Sequence, residues 1–538
     1  MINPADENSR NRRYTFLESR SGETVPAIVL SEGNTLPLHS MVDPKREAQR
    51  LVSIISEDTG FIIFLGLGGG FAPDTALKDT NAQVIVIDFH KDSITELLSS
   101  KDYSALLNNE RFRLLTDPSC GEIKKLILEN YNPSLCGNIK TIPLRPRIEQ
   151  DIDLFENAAV AIQEAIGIVS SDYSVQAHFG IRWFSNIIHN IKNVKLTTGS
   201  LNINKFFSSV KETAIVAAGP SLDQQIHILA ECKHRGVFVI STDTAIPVLL
   251  RNGIKPDTVV SIDCQHISYY HFIGCNLKTG IPLVLDIASP PLLSGFSSSP
   301  VFFSSDHPLA RYVSAWQSLP PLDTSGGNVT YACLSLAEYL GADRITLFGA
   351  DFSYVGSKTY AKGTYIYPFF EKKQNRFSPA QSLFSAFLYR SPFLPKEKQE
   401  QNYRETASLK MYRKKFEEKA ATMSAQITAV SGQGAPISLT LKTTDTVKKH
   451  NVFSTVSMTG KSGIEFLEQY RKDIAALPAA DDNYLSLLSL KERQIFTTLL
   501  PCLAAIRHRR AGLKTKELIE ETKHYCIQKI TSILKQKP

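Results

Sequence analysis

The sequence predicts an α/β protein: two Rossmann-like parallel-sheet domains followed by a helical C-terminal domain. Three observations carry that expectation. Short β-rich runs alternate with helical patterns between residues 213 and 348, as in a parallel sheet covered on both faces. Earlier, the apolar run Phe61 to Leu65 enters a glycine-rich turn, and a second strand ends in Asp88. From residue 462 onward, apolar residues recur at helical spacing. The expected divisions are an N-terminal Rossmann-like domain at 1–150, a helical linker at 151–204, a central domain at 205–440 and a helical domain at 441–538.

Composition sets the class. At 538 residues, 43% hydrophobic and 21% charged, the chain reads as a globular protein with a large core. Its longest apolar runs, such as Phe61 to Leu67, fall short of the ~20 residues a membrane helix needs. The first residues are polar and charged, with no apolar stretch behind them, so a cytoplasmic location is expected. None of the eight cysteines forms a Cys-x-x-Cys, which argues for reduced thiols rather than a zinc site or a disulfide framework. The net charge of +7 is concentrated at the C-terminus, where residues 501–538 hold nine Lys/Arg against three Glu. No aromatic interleaving accompanies that charge, so nucleic-acid binding is not expected. Monomer and dimer both stay open.

Residues 1 to 55 contain one strand candidate, Val25 to Leu30. The strand from Phe61 then leads into Gly66, Gly68 and Gly70, and Asp88 follows 22 positions after Gly66. Glycines after a strand, with an acid ~20 residues on, fit a dinucleotide or methyl-donor fingerprint. The third glycine of that fingerprint is missing, so these four residues define either a second nucleotide site or a structural remnant of one. Leu154, Ala158, Ala161, Ile162, Ala165 and Ile168 predict a helix across 151–190.

In the central region, strands are expected near 213–218, 237–242, 258–262, 283–287, 301–305 and 344–348, with helices at 222–235, 244–252 and 328–340. Distinctive residues stand at the strand ends, where α/β sheets collect their ligands. Gly219, Pro220, Ser221 and Leu222 make a tight turn into a helix N-terminus, a natural anion site. Asp243 and Asp263 end two strands; Thr324, Ser325 and Gly326 open an apolar helix; Asp351 follows the last strand and leads to Tyr354, Lys358 and Tyr360. A helix from Glu405 to Met423, a returning strand at 427–430 and three helices at 464–477, 484–506 and 515–534 complete the chain.

These motifs run in the order Gly-Pro-Ser-Leu-Asp, Thr-Asp-Thr-Ala, Ile-Lys-Pro-Asp-Thr-Val-Val-Ser-Ile-Asp, Thr-Ser-Gly-Gly-Asn-Val and Phe-Gly-Ala-Asp-Phe-Ser-Tyr. The order, over residues 205 to 375, resembles the motility accessory factor (Maf, or DUF115) family and the family 42 bacterial sialyltransferases. The resemblance implies a sialyltransferase-like catalytic domain. It would be an inverting transferase moving a CMP-activated nonulosonic acid, of pseudaminic or legionaminic acid type, to Ser or Thr of flagellin. Gly219 to Leu222, Thr324 to Gly326, Asp351 and Lys358 would then hold the donor. Tyr354 and Tyr360 would hydrogen-bond the departing phosphate, and Asp243 or Asp263 would serve as base. No cofactor or metal is implied.

The chain departs from the sialyltransferases at three points. They carry asparagines where Asp243 and Asp263 stand and a basic residue where Asp323 stands; their base histidine follows the tyrosines, whereas no histidine occurs here between His307 and His450. His266 and His271, close after Asp263, are available to line the cleft. The acids suggest a rival, in which Asp243, Asp263 and Asp351 hold Mg²⁺ for pyrophosphate transfer from ATP to a hydroxymethylpterin. A third reading is a non-catalytic flagellin-binding adaptor.

Overall fold

The computed structural model describes residues 13–30, 33–193, 210–317, 319–356, 358–396, 402–440, 462–481, 484–510 and 512–536. The linker end expected at 196–204 and the start of a C-terminal domain at 441 lie outside these residues. The chain forms two units: Met1–Gly180 with Ala480–Tyr484 and Leu500–Glu520, and Ile181–Ala479 with Leu485–Leu499 and Glu521–Pro538.

The first unit holds two sheets. Strands β1 (Tyr14–Glu18), β2 (Thr24–Val29) and β3 (Thr35–Pro37) form an antiparallel meander, of which only β2 was expected. Strands β4 (Phe61–Leu65), β5 (Gln83–Asp88), β6 (Phe112–Thr116) and β7 (Ile139–Pro143) form a parallel sheet in the order β6-β5-β4-β7. All five residues of β4 are buried, so one face of the sheet packs Ile62 and Phe64 while the other packs Phe61, Ile63 and Leu65. The 42-residue helix Ile152–Asn193 lays Phe155, Ala158, Ala161, Ile162 and Ala165 on that second face.

The second unit is built on seven strands: β8 (Glu212–Val216), β9 (Phe238–Thr242), β10 (Thr258–Ser261), β11 (Leu283–Asp286), β12 (Pro300–Phe303), β13 (Arg344–Phe348) and β16 (Gln426–Ala429). All neighbours pair in parallel, in the order β12-β11-β10-β9-β8-β13-β16. Beyond the sheet, β14 (Tyr354–Val355) and β15 (Tyr403–Arg404) form a short antiparallel ladder that sequence periodicity does not mark. Helices Leu222–His234 and Ile246–Arg251 cover one face, and Val329–Tyr339 and Ala407–Thr422 the other. The winding runs outward from β8 to β12, then returns to β13, so the order reverses between β8 and β13. Loops leaving the carboxyl ends diverge there and open a crevice.

The last part of the chain is helical, as expected. The single helix expected over 484–506 is instead two, Tyr484–Leu487 and Leu490–Arg509. Ser489 supplies the reason: its hydroxyl accepts from the Glu492 N–H, and the Glu492 carboxylate accepts from the Ser489 N–H, a reciprocal cap that starts a new helix. All eight cysteines are free thiols. Among the described residues no helix is long and apolar enough to cross a membrane.

Candidate functional site

At the switch point, β8 runs into Gly219-Pro220-Ser221 beside the end of β13. A Cβ on Gly219 would stand 2.4 Å from both Asp351 Oδ2 and the Gly349 carbonyl oxygen, so only glycine admits this approach. The Ser221 N–H donates to Asp351 Oδ2 at 2.8 Å, and the Ser221 hydroxyl accepts from the Gln433 N–H at 3.1 Å. Gln225 bridges the same segments, accepting from the Gly349 N–H and donating to the Val430 and Ser431 carbonyls. Asp351 therefore supplies negative charge at the start of helix Leu222–His234, where a phosphate was expected. Burial raises its pKa, and the Ser221 hydrogen bonds work against that rise.

The Thr324-Ser325-Gly326 loop is braced by Asp323, whose carboxylate accepts from the Ser325 N–H at 2.9 Å and from the Tyr331 hydroxyl at 2.7 Å. A Cβ on Gly326 would meet the Tyr331 ring, and Lys415 donates to the Ser325 carbonyl. Asn328 caps helix Val329–Tyr339 by accepting from the Tyr331 N–H. The acid in place of a basic residue at Asp323 thus holds the loop's shape.

Asp243 and Asp263 end adjacent strands, and structure adds a third member. His271, on helix Ile267–Phe272, places Nδ1 3.3 Å from Asp243 Oδ1, an ion-pair distance whose angle falls short of a straight hydrogen bond. Asp243 also accepts from the Ser261 hydroxyl at 2.7 Å and the Thr244 N–H at 2.7 Å. Burial by itself raises the Asp243 pKa; the His271 imidazole and these hydrogen bonds outweigh it, and the net direction is down. Burial raises Asp263, with the negative charge of Asp243 adding to it, against hydrogen bonds from Gln265 and the charge of the nearby His271. Neighbouring carboxyls are pushed apart, as pairs that divide acid and base work are.

Tyrosines line this position. The Tyr365 ring lies 4.4 Å from His271 and 6.3 Å from Tyr360. Burial pushes the Tyr365 hydroxyl up to about 12 and Tyr360 higher still, so both are neutral hydrogen-bond donors. The charge of Asp243 adds to the rise at Tyr360, and Arg390 partly offsets the rise at both Tyr360 and Tyr365. Tyr354 stacks edge-on against Phe393 at 5.9 Å. Lys358 is exposed, as is Lys362, whose N–H donates to Asp223. The structure thus brings Asp243, Asp263 and Tyr360 together and adds His271 and Tyr365. Asp351 stands across β8 from them.

Two buried asparagines fix the loops at this edge. One helical turn apart on Ile152–Asn193, Asn186 donates to the Cys264 and Ala288 carbonyls, and Asn190 to the Ile287 and Ser289 carbonyls. Between those loops sits Asp286, the third consecutive strand-end acid, which sequence reading passed over. It is 5% exposed, and burial pushes its pKa up to about 6 despite hydrogen bonds from the Ala288 N–H and Ser305. A carboxyl raised on folding stabilises the fold fully below its unfolded pKa and loses that contribution as pH climbs through the folded value. Asp286→Asn should therefore be more stable than the parent at pH 7 by about 1–3 kcal/mol and lose less stability between about pH 4 and 6. Denaturant midpoints across that range measure it; parallel curves for the two proteins would contradict this burial.

In the first unit, the glycine turn is filled by the chain itself. Gly66 has φ +97, and a Cβ there would meet Arg147. The Gly69 N–H donates to His39 at 2.8 Å, while Tyr103 and Lys101 donate to the Gly68 and Gly69 carbonyls. Gly70 precedes helix Phe71–Asp79 with φ 73. Asp88, which would meet a ribose, accepts from the Leu67 and Phe89 N–H groups and pairs with Arg147 at 2.9 Å. Every site residue named from the sequence here has a structural partner already.

Three comparisons bear on this geometry. The family profile described as 6-hydroxymethylpterin diphosphokinase MptE-like matches residues 185–357. An uncharacterized protein of Treponema pallidum (strain Nichols) is 33% identical over 189 residues, which is 34% of this chain and 87% of that protein. A second from the same organism is 39% identical over 122 residues, 22% of this chain and 44% of its own length. Among solved structures, the Maf glycosyltransferase from Magnetospirillum magneticum AMB-1 superposes with a TM-score of 0.57 over 97% of this chain and 92% of its own, at 14% identity. That likeness is one of fold.

Proposed function

The chain belongs to one family with the 33%-identical Treponema pallidum protein, and we propose that this chain is a glycosyltransferase. The observation that carries the reading is the Asp243–His271 pair, ringed by neutral tyrosines at the carboxyl edge of the sheet. The fold shared with the Maf glycosyltransferase supports it. The donor is a CMP-activated nonulosonic acid and the acceptor a Ser or Thr hydroxyl of flagellin, modified in the cytoplasm. The acceptor oxygen attacks the anomeric carbon as the bond to phosphate breaks, with inversion. His271 takes the hydroxyl proton, and Asp243 orients the ring and stabilises its cation. Tyr354, Tyr360 and Tyr365 donate to the phosphate oxygens as they gain charge, in place of a metal. The Ser221 N–H already serves Asp351 and the Ser325 N–H serves Asp323, so the phosphate is assigned to the hydroxyls of Thr324 and Ser325 on the loop that ends at Gly326.

The MptE-like match favours a second reading, transfer of pyrophosphate from ATP to a hydroxymethylpterin. Among the described residues, no group of three or more His, Cys, Asp or Glu is arranged to hold a metal ion. Calorimetric titration separates the two. CMP should bind without metal, and about ten-fold more weakly to Ser325→Ala. Mg²⁺-dependent ATP binding with no response to CMP would replace the transferase by the pyrophosphokinase; silence to both would leave the adaptor.

A further inference from the structure

A cleft of about 380 Å³ opens at the carboxyl end of β12, a volume suited to a small ligand. Its wall is unusual for its chemistry: the hydroxyls of Ser304, Ser305 and Ser314, the carboxylates of Asp306 and Asp323, and a single cation, Arg311. Arg311 is exposed to solvent and has no ion-pair partner among the described residues. An arginine fork left open is matched in geometry by a carboxylate, which it can take through two parallel hydrogen bonds. Two acids on the same wall accept hydrogen bonds from ligand hydroxyls.

We propose that this cleft is a binding site for a carboxylate-bearing sugar, with Arg311 taking the carboxylate and Asp306, Asp323 and the serines taking the hydroxyls. The assignment as a sugar subsite rests on the glycosyltransferase reading, whereas the chemistry of the wall does not. Two connections place the subsite in the working edge of the sheet. Asp323 is shared with the Thr324-Ser325-Gly326 loop through its bonds to the Ser325 N–H and the Tyr331 hydroxyl. Ser305 hydrogen-bonds Asp286, on the strand between β12 and β10. β12 is two strands from the strand that carries Asp263, roughly 10 Å, so a sugar here sits beside the Asp243–His271 pair rather than on it.

The test is titration of the full-length protein with N-acetylneuraminic acid, its methyl ester and neutral N-acetylglucosamine, alongside CMP. The free acid should bind the parent; the ester, the neutral sugar, and the free acid on Arg311→Ala should each bind about ten-fold more weakly or worse. Arg311→Lys, which keeps the charge but loses the fork, should fall between. CMP should bind parent and Arg311→Ala alike. Equal binding of acid and ester, equal binding by parent and Arg311→Ala, or no binding of the acid at all would each overturn the subsite. If CMP still bound in those cases, the transferase reading would survive the subsite's failure. Loss of acid binding in Arg311→Ala with no CMP binding to either protein would keep the subsite and remove the donor assignment.

Discussion

Arg147→Ala should destabilise the first unit by about 3–5 kcal/mol, the largest stability effect of any single substitution considered. The guanidinium is fully buried, at 0% exposure, and pairs with Asp88 at 2.9 Å and with Asp151. It also donates to the Phe89 carbonyl and lies over the Phe155 ring. Removing it leaves Asp88, itself 0% exposed, as a buried carboxylate without its cation. Burial already drives the Asp88 pKa upward, with Arg147 as the leading opposing influence. The loss is therefore set mainly by stranded charge rather than by lost packing. Arg147→Met combined with Asp88→Asn removes charge and counter-charge together and should recover much of the deficit. Denaturant unfolding monitored on the intact chain measures both. If the double variant is no more stable than Arg147→Ala, the stranded-charge account is wrong.

The second large effect falls on catalysis. His271→Ala should lower the transfer rate by about 10²–10⁴-fold while leaving CMP affinity near that of the parent. The distinction follows from role: His271, beside Asp243 and Tyr365, is assigned the acceptor's proton, whereas Ser325 is assigned the nucleotide. Asp243→Asn keeps the shape but removes the carboxylate that orients the ring, so it should lower the rate as well. A single-turnover assay with a glycan-free acceptor reads kcat separately from binding. Transfer at the parent's rate by His271→Ala would remove the histidine from the mechanism.

Much of this architecture is legible in the sequence because it depends on local patterning. Alternating apolar runs mark β8 to β13, and the acids at 243, 263 and 351 do stand at strand ends. What escaped depends on pairing between distant segments. His271 could be noticed near Asp263, yet its approach to Asp243 requires the register of β9 on β10 and the short helix that follows. Asp286 ends a strand that was recognised, but its burial comes from Ser305 and the loops held by Asn186 and Asn190. The glycine fingerprint leaves a nucleotide site and a structural turn both open because periodicity gives no sign of Arg147, a residue far along the chain whose stem occupies the space beside Gly66. Strands β6 and β7 leave only a short apolar signal because each buries only part of its length.

The tie between Ser221 and Gln433 spans 212 residues of chain. Biosynthesis runs from one end to the other, at ≈ 5–20 residues per second. The turn at Gly219 emerges early, yet its partners on the loop after β16 are the last strand-borne residues of the sheet to be made. For roughly four to sixteen seconds at those rates, the nascent chain carries β8 and β13 with one edge of β13 unpaired and Asp351 without its covering loop. An unpaired edge of that kind is a template for wrong partners. The protein's most vulnerable moment is thus fixed by topology, and slower translation between residues 351 and 426 would lengthen it.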